Sequence, residues 1–274
     1  MPKLNPGPRG TLLAIGGHEE RTIEASDSDR PSNAILRRFV EELRGDGPVI
    51  VMPTASEYPE EAARDYLEIF AQLGVKQVEV FDVNERTTAR DPAGLALLGR
   101  AAGVMFTGGD QLRLTALLGG TPWLHCLKER YQREEFLVAG TSAGAACMGT
   151  PMIYQGRNNA GMRKDEIHVT TGLQLLPGTA VDTHFVKRGR IVRMAQILAT
   201  NPGYVGLGLE EDTGVVVKHG RELEVVGSGI VTVLEGRDSA SNIHKIEAGA
   251  VFTVRDLRLH LLGCGERYTL PELA

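Results

Sequence analysis

The chain has 274 residues, 42% of them apolar and 24% charged, with a net charge of −5. That length buries a sizeable core, as one large domain or two small ones, and mild acidity without any basic block excludes a general nucleic-acid binder. No apolar run approaches the ~20 residues of a membrane span, and residues 1–8 lack the apolar stretch of a signal peptide, so a cytoplasmic protein with no membrane partner is expected.

In chain order, residues 11–15 and 49–52 are short apolar runs ended by Gly or Pro and read as strands. Between them Ile35, Leu36, Phe39, Val40 and Leu43 recur at helical spacing over 33–43, and Ala63, Tyr66, Leu67, Phe70 and Leu73 repeat the pattern over 60–73. Residues 78–81 and 103–106 read as strands, 111–118 and 123–131 as helices, and 136–139 as a buried strand. Residues 145–148 read as the start of a helix, and 175–181 and 204–209 as two more strands. Strands that alternate with helices predict a mostly parallel sheet sandwiched by helices. Their near-continuous apolarity fits strands buried on both faces.

Beyond about residue 203 the pattern changes. Residues 215–218, 223–226, 230–234, 251–254 and 257–262 are short apolar runs with turns between them, and they predict antiparallel hairpins closing one side of the sheet. No linker, repeat or low-complexity tract interrupts the chain. The expected organisation is a tail over 1–10 and one α/β domain over 11–274.

Three cysteines, Cys126, Cys147 and Cys264, are odd in number and widely spaced, so no disulfide framework is expected. Cys147 falls in an apolar helical pattern and reads as core. The seven histidines make no His-x-x-x-His pair and no Cys-x-x-Cys occurs, so neither a metal nor a cofactor is expected. Gly16-Gly17 lacks the spaced third glycine of a dinucleotide fingerprint.

The chemistry centres on Gly140-Thr141-Ser142-Ala143-Gly144. A serine between small residues at a strand-to-helix turn fits a nucleophile elbow, where only small neighbours are tolerated and the hydroxyl is lifted to the top of the sheet. A serine hydroxyl needs a base, and the base needs an orienting group. Asp182-Thr183-His184 follows one strand, and Glu210-Glu211-Asp212 ends another. A triad of Ser142, His184 and an acid from that trio runs in the order Ser, His, acid, unlike the Ser, acid, His of the α/β-hydrolases. Spacing alone does not choose among Glu210, Glu211 and Asp212. The Ala143 N–H lies just past the nucleophile, where an oxyanion hole takes one donor. Gly108-Gly109-Asp110-Gln111 opens a helix; it is either a plain turn capped by Asp110 or the source of the second donor, the Gly109 N–H. Arg190 and Arg193 are i, i+3 and share a helix face, with Arg188 in the entry turn; guanidinium groups suit capture of carboxylates. Asp182 is the complementary candidate for a substrate guanidinium. His18-Glu19-Glu20 stands at the first strand end without an assigned role.

These motifs resemble cyanophycinase, in the serine peptidase family that also holds dipeptidase E. The likeness runs from about Gly10 to Leu234 and takes in Ile15-Gly16-Gly17, Pro53-Thr54-Ala55-Ser56, Gly108 to Leu112, Gly140 to Ala145, Asp182-x-His184-Phe185-x-x-Arg188-x-Arg190-x-x-Arg193, Gly208 to Thr213 and Val226-Gly227-Ser228-Gly229. The resemblance implies a fold similar to the class I glutamine amidotransferases, Glu211 as the acid, Gln111 and Thr183 in contact with substrate, and a homodimer. It implies a serine exopeptidase that cuts cyanophycin, a poly-aspartate with arginine on each β-carboxyl, into β-aspartyl-arginine through an acyl-enzyme. Thr183 departs from the Gln usual in that family. It keeps open a dipeptidase for acidic or isoaspartyl dipeptides, beside a non-catalytic substrate-binding member. A glutaminase would call for Cys at position 142.

Overall fold

In the computed structural model, which describes residues 7–21, 33–155 and 161–272, the alternating pattern becomes β1 (Thr11–Ile15), α1 (Ala34–Glu42), β2 (Val49–Met52), α2 (Pro59–Gln72), β3 (Val78–Val80), α3 (Pro92–Arg100), β4 (Gly103–Phe106), α4 (Gln111–Leu118), α5 (Pro122–Arg133) and β5 (Leu137–Thr141). A short α6 (Ala143–Ala146) follows β5 directly, in place of the helix expected from 145. The strands β1, β5, β4, β2 and β3 run parallel, in that spatial order. Three of the helices begin on side-chain caps, of which the sequence reading offered only Asp110. Asp91, Asp110 and Thr121 accept from Ala93 N, Leu112 N and Leu124 N at the heads of α3, α4 and α5.

Side chains alternate across the parallel strands and build two cores. Leu12, Ile50, Val104 and Val138 face Leu98 of α3, Leu114 of α4 and Trp123 and Leu127 of α5. Leu13, Val49, Val51 and Ala139 face Ile35 and Phe39 of α1 and Tyr66 and Phe70 of α2. Burying each such large apolar side chain contributes about 1.5–3 kcal/mol.

After α6 come four short strands: β6 (Gly149–Thr150), β7 (Met152–Gln155), β8 (His168–Thr170) and β9 (Leu176–Pro177). The rest of the chain runs β10 (Thr179–Thr183), α7 (Ile191–Thr200), β11 (Val205–Leu209), β12 (Thr213–Lys218), β13 (Glu222–Gly227), β14 (Val231–Glu235), β15 (Ala240–Ser241), β16 (Val254–Arg255), β17 (Arg258–Leu262) and β18 (Arg267–Thr269). The late strands do not all close one sheet, as their sequence suggested. β12, β13 and β18 extend the main sheet antiparallel beyond β1, giving eight strands among the described residues. β14 and β17 instead add antiparallel to the parallel pair β10–β11, forming a second, four-stranded sheet. One face of this sheet (Val181, Leu207, Val231) joins the core under α4 and α5, and α7 covers the other with Met194, Ile197 and Leu198 against Ala180 and Leu234.

The chain changes sheets between β11 and β12 in a corner made of Glu210, Glu211 and Asp212, with Asp212 at φ 46°. Residues 251–254 do not form the strand expected there. Only Val254 and Arg255 pair, with Ala240–Ser241, while Val251 is exposed and bridges Arg163.

Candidate active site

Ser142 leaves β5 at φ 51° and ψ −111°, a conformation costly for any residue with a Cβ. The packing shows why glycine stands two residues to either side of the serine. A Cβ on Gly140 would lie 2.5 Å from the Gly144 backbone, and one on Gly144 would lie 2.5 Å from the Phe106 carbonyl.

His184 follows β10, also at positive φ (49°). Its Nε2 lies 3.0 Å from Ser142 Oγ and its Nδ1 2.8 Å from Glu211 Oε1. With the carboxylate accepting at Nδ1–H, the Nε2 lone pair faces the serine hydroxyl, the tautomer a general base needs. The other two acids of the corner are spent elsewhere. Glu210 accepts from Val186 N and Lys187 N at 2.7 and 3.1 Å, and Asp212 accepts from Ser228 Oγ at 2.5 Å. The choice that spacing left open thus falls geometrically on Glu211.

Three successive carbonyls at the end of β1 hold these segments. Ile15 O accepts from Ser142 N at 2.9 Å, Gly16 O from His184 N at 3.0 Å, and Gly17 O from Asp212 N at 2.8 Å.

Burial lowers the His184 pKa below its usual value, and the positive fields of Arg188 and His18 add to that, outweighing the Glu211 hydrogen bond that works the other way. At Glu211, burial opposes ionisation, but hydrogen bonds from Lys187 and His184 outweigh it and bring the carboxyl to about 2. Lys187 Nζ donates to Glu211 Oε2, the oxygen that His184 leaves unused. Nothing in the sequence marked Lys187, which occupies an unspecified position of its motif. His18 stands beside the group, its side chain mostly exposed. Its Nε2 is 3.7 Å from Glu211 Oε1 and its ring meets His184 edge to face at 5.3 Å. One donor atom each from His18, His184 and Glu211 lies within 4.8 Å of the others. Sequence spacing gave no metal-ligand pair, yet the fold assembles a candidate ligand set from three distant segments.

The arginine cluster is arranged differently from the expectation. Asp182 is buried, and its Oδ1 accepts from Thr183 N at 2.9 Å and Arg190 Nη1 at 3.0 Å, as well as from Arg193 Nη2. Its Oδ2 accepts from Arg193 Nε at 2.6 Å. A carboxylate so enclosed is not offered to a substrate guanidinium, and Arg193, itself buried against it, is not offered to a substrate carboxylate. Both belong to an internal charge cluster. Arg190 is the N-cap residue of α7. It also donates to Thr183 O at 2.6 Å, and its Nε is buried with no hydrogen-bond partner. Burial lowers its guanidinium to about 10, so it stays charged at neutral pH. Arg188 sits in the turn before α7, as expected, and is exposed.

The remaining candidates lie around the serine. A Cβ on Gly108 would be 3.5 Å from Ser142 Cβ, so the Gly108–Gly109 turn borders the nucleophile; Gly109 packs against the Ala55 carbonyl with no space for a side chain. Ala143 is buried at the first position of α6. Gln111 Nε2 donates to Ile153 O at 2.8 Å, tying α4 to β7. Thr183 is buried at the end of β10. Glu19, left without a role by its sequence, lies under the elbow. Its Oε2 accepts from Thr141 Oγ1 at 2.6 Å, and its Oε1 accepts from Arg21 Nη2 at 3.0 Å and from the Tyr66 hydroxyl.

A serine, an imidazole and a carboxylate linked in this order at the carboxyl ends of a parallel sheet are the parts of a serine-type hydrolase. The chain belongs to peptidase family S51, whose sequence model matches residues 23–225. It is 35% identical over 266 residues to the cyanophycinase of Synechococcus elongatus, covering 96% of this chain and 80% of that one. It is 34% identical over 262 residues to the cyanophycinase of Geminocystis herdmanii, covering 95% and 93%. Among solved structures, a peptidase from an acI-B1 actinobacterium shares the fold, with a TM-score of 0.69 at 24% identity over 95% of this chain and 97% of that one. The protein is therefore a serine-type peptidase. No helix among the described residues is long and apolar enough to cross a membrane.

Proposed function

We propose that this peptidase is an exopeptidase that hydrolyses cyanophycin to β-aspartyl-arginine dipeptides through an acyl-enzyme on Ser142. The observation that carries the reading is the Ser142–His184–Glu211 relay, with contacts of 3.0 and 2.8 Å. Two relatives above 30% identity that bear the cyanophycinase name support the substrate. Ser142 Oγ attacks the backbone amide carbonyl while His184 Nε2 takes the hydroxyl proton, and Glu211 holds the imidazolium that forms. The Gly109 and Ala143 N–H groups receive the oxyanion. His184 returns the proton to the leaving amine, and a water activated by the same nitrogen releases the dipeptide.

With Arg193 and Asp182 engaged with one another, the contact to substrate carboxylates falls to Arg188 and the outer edge of Arg190, with Gln111 and Thr183 lining the pocket. The enzyme works in the cytoplasm as a homodimer, residues 11–274 acting as one unit. Thr183 favours one second reading, a dipeptidase for acidic or isoaspartyl dipeptides. The test incubates purified protein with cyanophycin, poly-aspartate, isoaspartyl dipeptides and α-linked Asp dipeptides, and identifies products by mass. β-Aspartyl-arginine from the polymer, abolished by Ser142→Ala, supports the proposal. Cleavage of α-linked dipeptides with the polymer untouched selects the dipeptidase.

A further inference from the structure

We propose that His18, His184 and Glu211 form an inhibitory site for zinc, in which the ion replaces the Nδ1 proton of His184. Two imidazole nitrogens and one carboxylate oxygen are a donor set suited to zinc, whereas magnesium and calcium prefer oxygen ligands throughout. Glu211 Oε1 is the shared vertex, 2.8 Å from His184 Nδ1 and 3.7 Å from His18 Nε2. Donors bound about 2.0–2.2 Å from one tetrahedral zinc sit roughly 3.3–3.5 Å apart, so the two separations from Glu211 change by about 0.2–0.7 Å, and that between the two imidazole nitrogens, within 4.8 Å, by no more than about 1.5 Å. His18 can supply that movement. Its side chain is 71% exposed, and its imidazole stands on the solvent side of the triad. A water completes the fourth position.

The consequence follows from the tautomer. Zinc binding at Nδ1 displaces the single proton of the neutral ring from that nitrogen, and the ring carries its one proton on Nε2 instead, with no net proton released. The nitrogen facing Ser142 Oγ then donates where it must accept, and it no longer takes the serine proton. Occupancy and base catalysis exclude each other, so the ion switches the enzyme off and is no part of its chemistry. Lys187, donating to the other oxygen of Glu211, lowers the negative charge available to the ion and keeps the site weaker than a structural zinc site. The inhibitory effect rests on the role assigned to His184 above; the binding of the ion does not.

The experiment therefore has two readouts. Protein treated with EDTA and desalted is titrated with zinc while cyanophycin hydrolysis is followed, and separately with cobalt(II) while its visible absorption is recorded, which needs no turnover. Wild-type protein should lose activity in the micromolar range, recover it with EDTA, ignore millimolar magnesium, and show a tetrahedral cobalt spectrum at one ion per chain. His18→Asn, which tolerates the left-handed backbone at φ 50°, should keep turnover within about twofold and need at least about tenfold more zinc and cobalt. His18→Gln should behave alike. Wild-type activity unchanged in 1 mM zinc (a concentration about a thousandfold above the expected range), or His18 variants inhibited at the wild-type concentration, overturns the proposal. If cyanophycin is not cut at all, the cobalt titrations alone decide whether the site exists.

Discussion

Gly17 and His184 share one space: a Cβ built on Gly17 would lie 2.4 Å from His184 Cε1 and 2.7 Å from Nε2. Gly17 also sits at φ 104°, where side chains are strained. Gly17→Ala should therefore push the imidazole off Ser142 and lower kcat by about 100-fold or more, since displacement of a catalytic group by ~1 Å costs on that order. KM should change little. Steady-state kinetics beside circular dichroism check this; a folded Gly17→Ala enzyme with near-normal kcat would show that the imidazole relocates without loss.

Acidification should act on activity and stability in the same direction. His184 must be neutral to accept the serine proton, and burial lowers its pKa below 6.5. kcat/KM should rise with pH to a plateau, with its half-point below 6.5. Stability follows the same sign. The folded state binds fewer protons at His184 between that lowered pKa and 6.5, and at Glu211 between about 2 and 4.5. Both contributions are present above these windows and lost as pH falls through them. Urea midpoints that fail to drop below pH 6 would contradict the assignment. Lys187→Met removes a donor to Glu211, raises its folded-state pKa, and should make the low-pH loss smaller and complete at a higher pH.

Asp182→Ala should destabilise more than it alters chemistry. It would leave the buried Arg193 and most of Arg190 without their counter-charge, and breaking a buried ion pair from one side costs about 3–5 kcal/mol. Urea unfolding measures the loss. A stable Asp182→Ala protein with a raised KM for arginine-bearing substrates would return Asp182 to the substrate site.

Thr183→Gln tests the departure from the family pattern. A longer amide at this buried position, one residue before His184, should change KM or tolerance for side-chain variants more than kcat. A substrate profile identical to wild type would make the position neutral.

Most of the parallel half of the fold was legible because β1 and β2 are runs of apolar residues ended by Gly or Pro, and α1 and α2 carry a 3.6-residue stripe. The elbow was legible because its steric needs are local. Other features were not. α3 went unread although Asp91-Pro92 is a cap signal, because its apolar residues are nearly continuous. The division of the late strands between two sheets is decided at the Glu210–Asp212 corner, and short β runs look alike whichever sheet they join. Arg190, Arg193 and Asp182 carry the charges of a ligand site, and their spacing does not reveal that they satisfy one another. His18 and Lys187 reach Glu211 from distant or unmarked positions, a juxtaposition that only the folded chain makes.

The three carbonyls of Ile15, Gly16 and Gly17 tie the serine, the histidine and the acidic corner to a single tripeptide. Opening that tripeptide releases all three amides together, so Ser142, His184 and Asp212 should exchange their amide hydrogens with solvent at a common rate. An acyl group on Ser142 that stabilises the closed form should slow all three equally. The reactive group then behaves as one cooperative unit, present or absent as a whole, and a chain with a loosened β1 end would hold fewer competent molecules rather than uniformly slower ones.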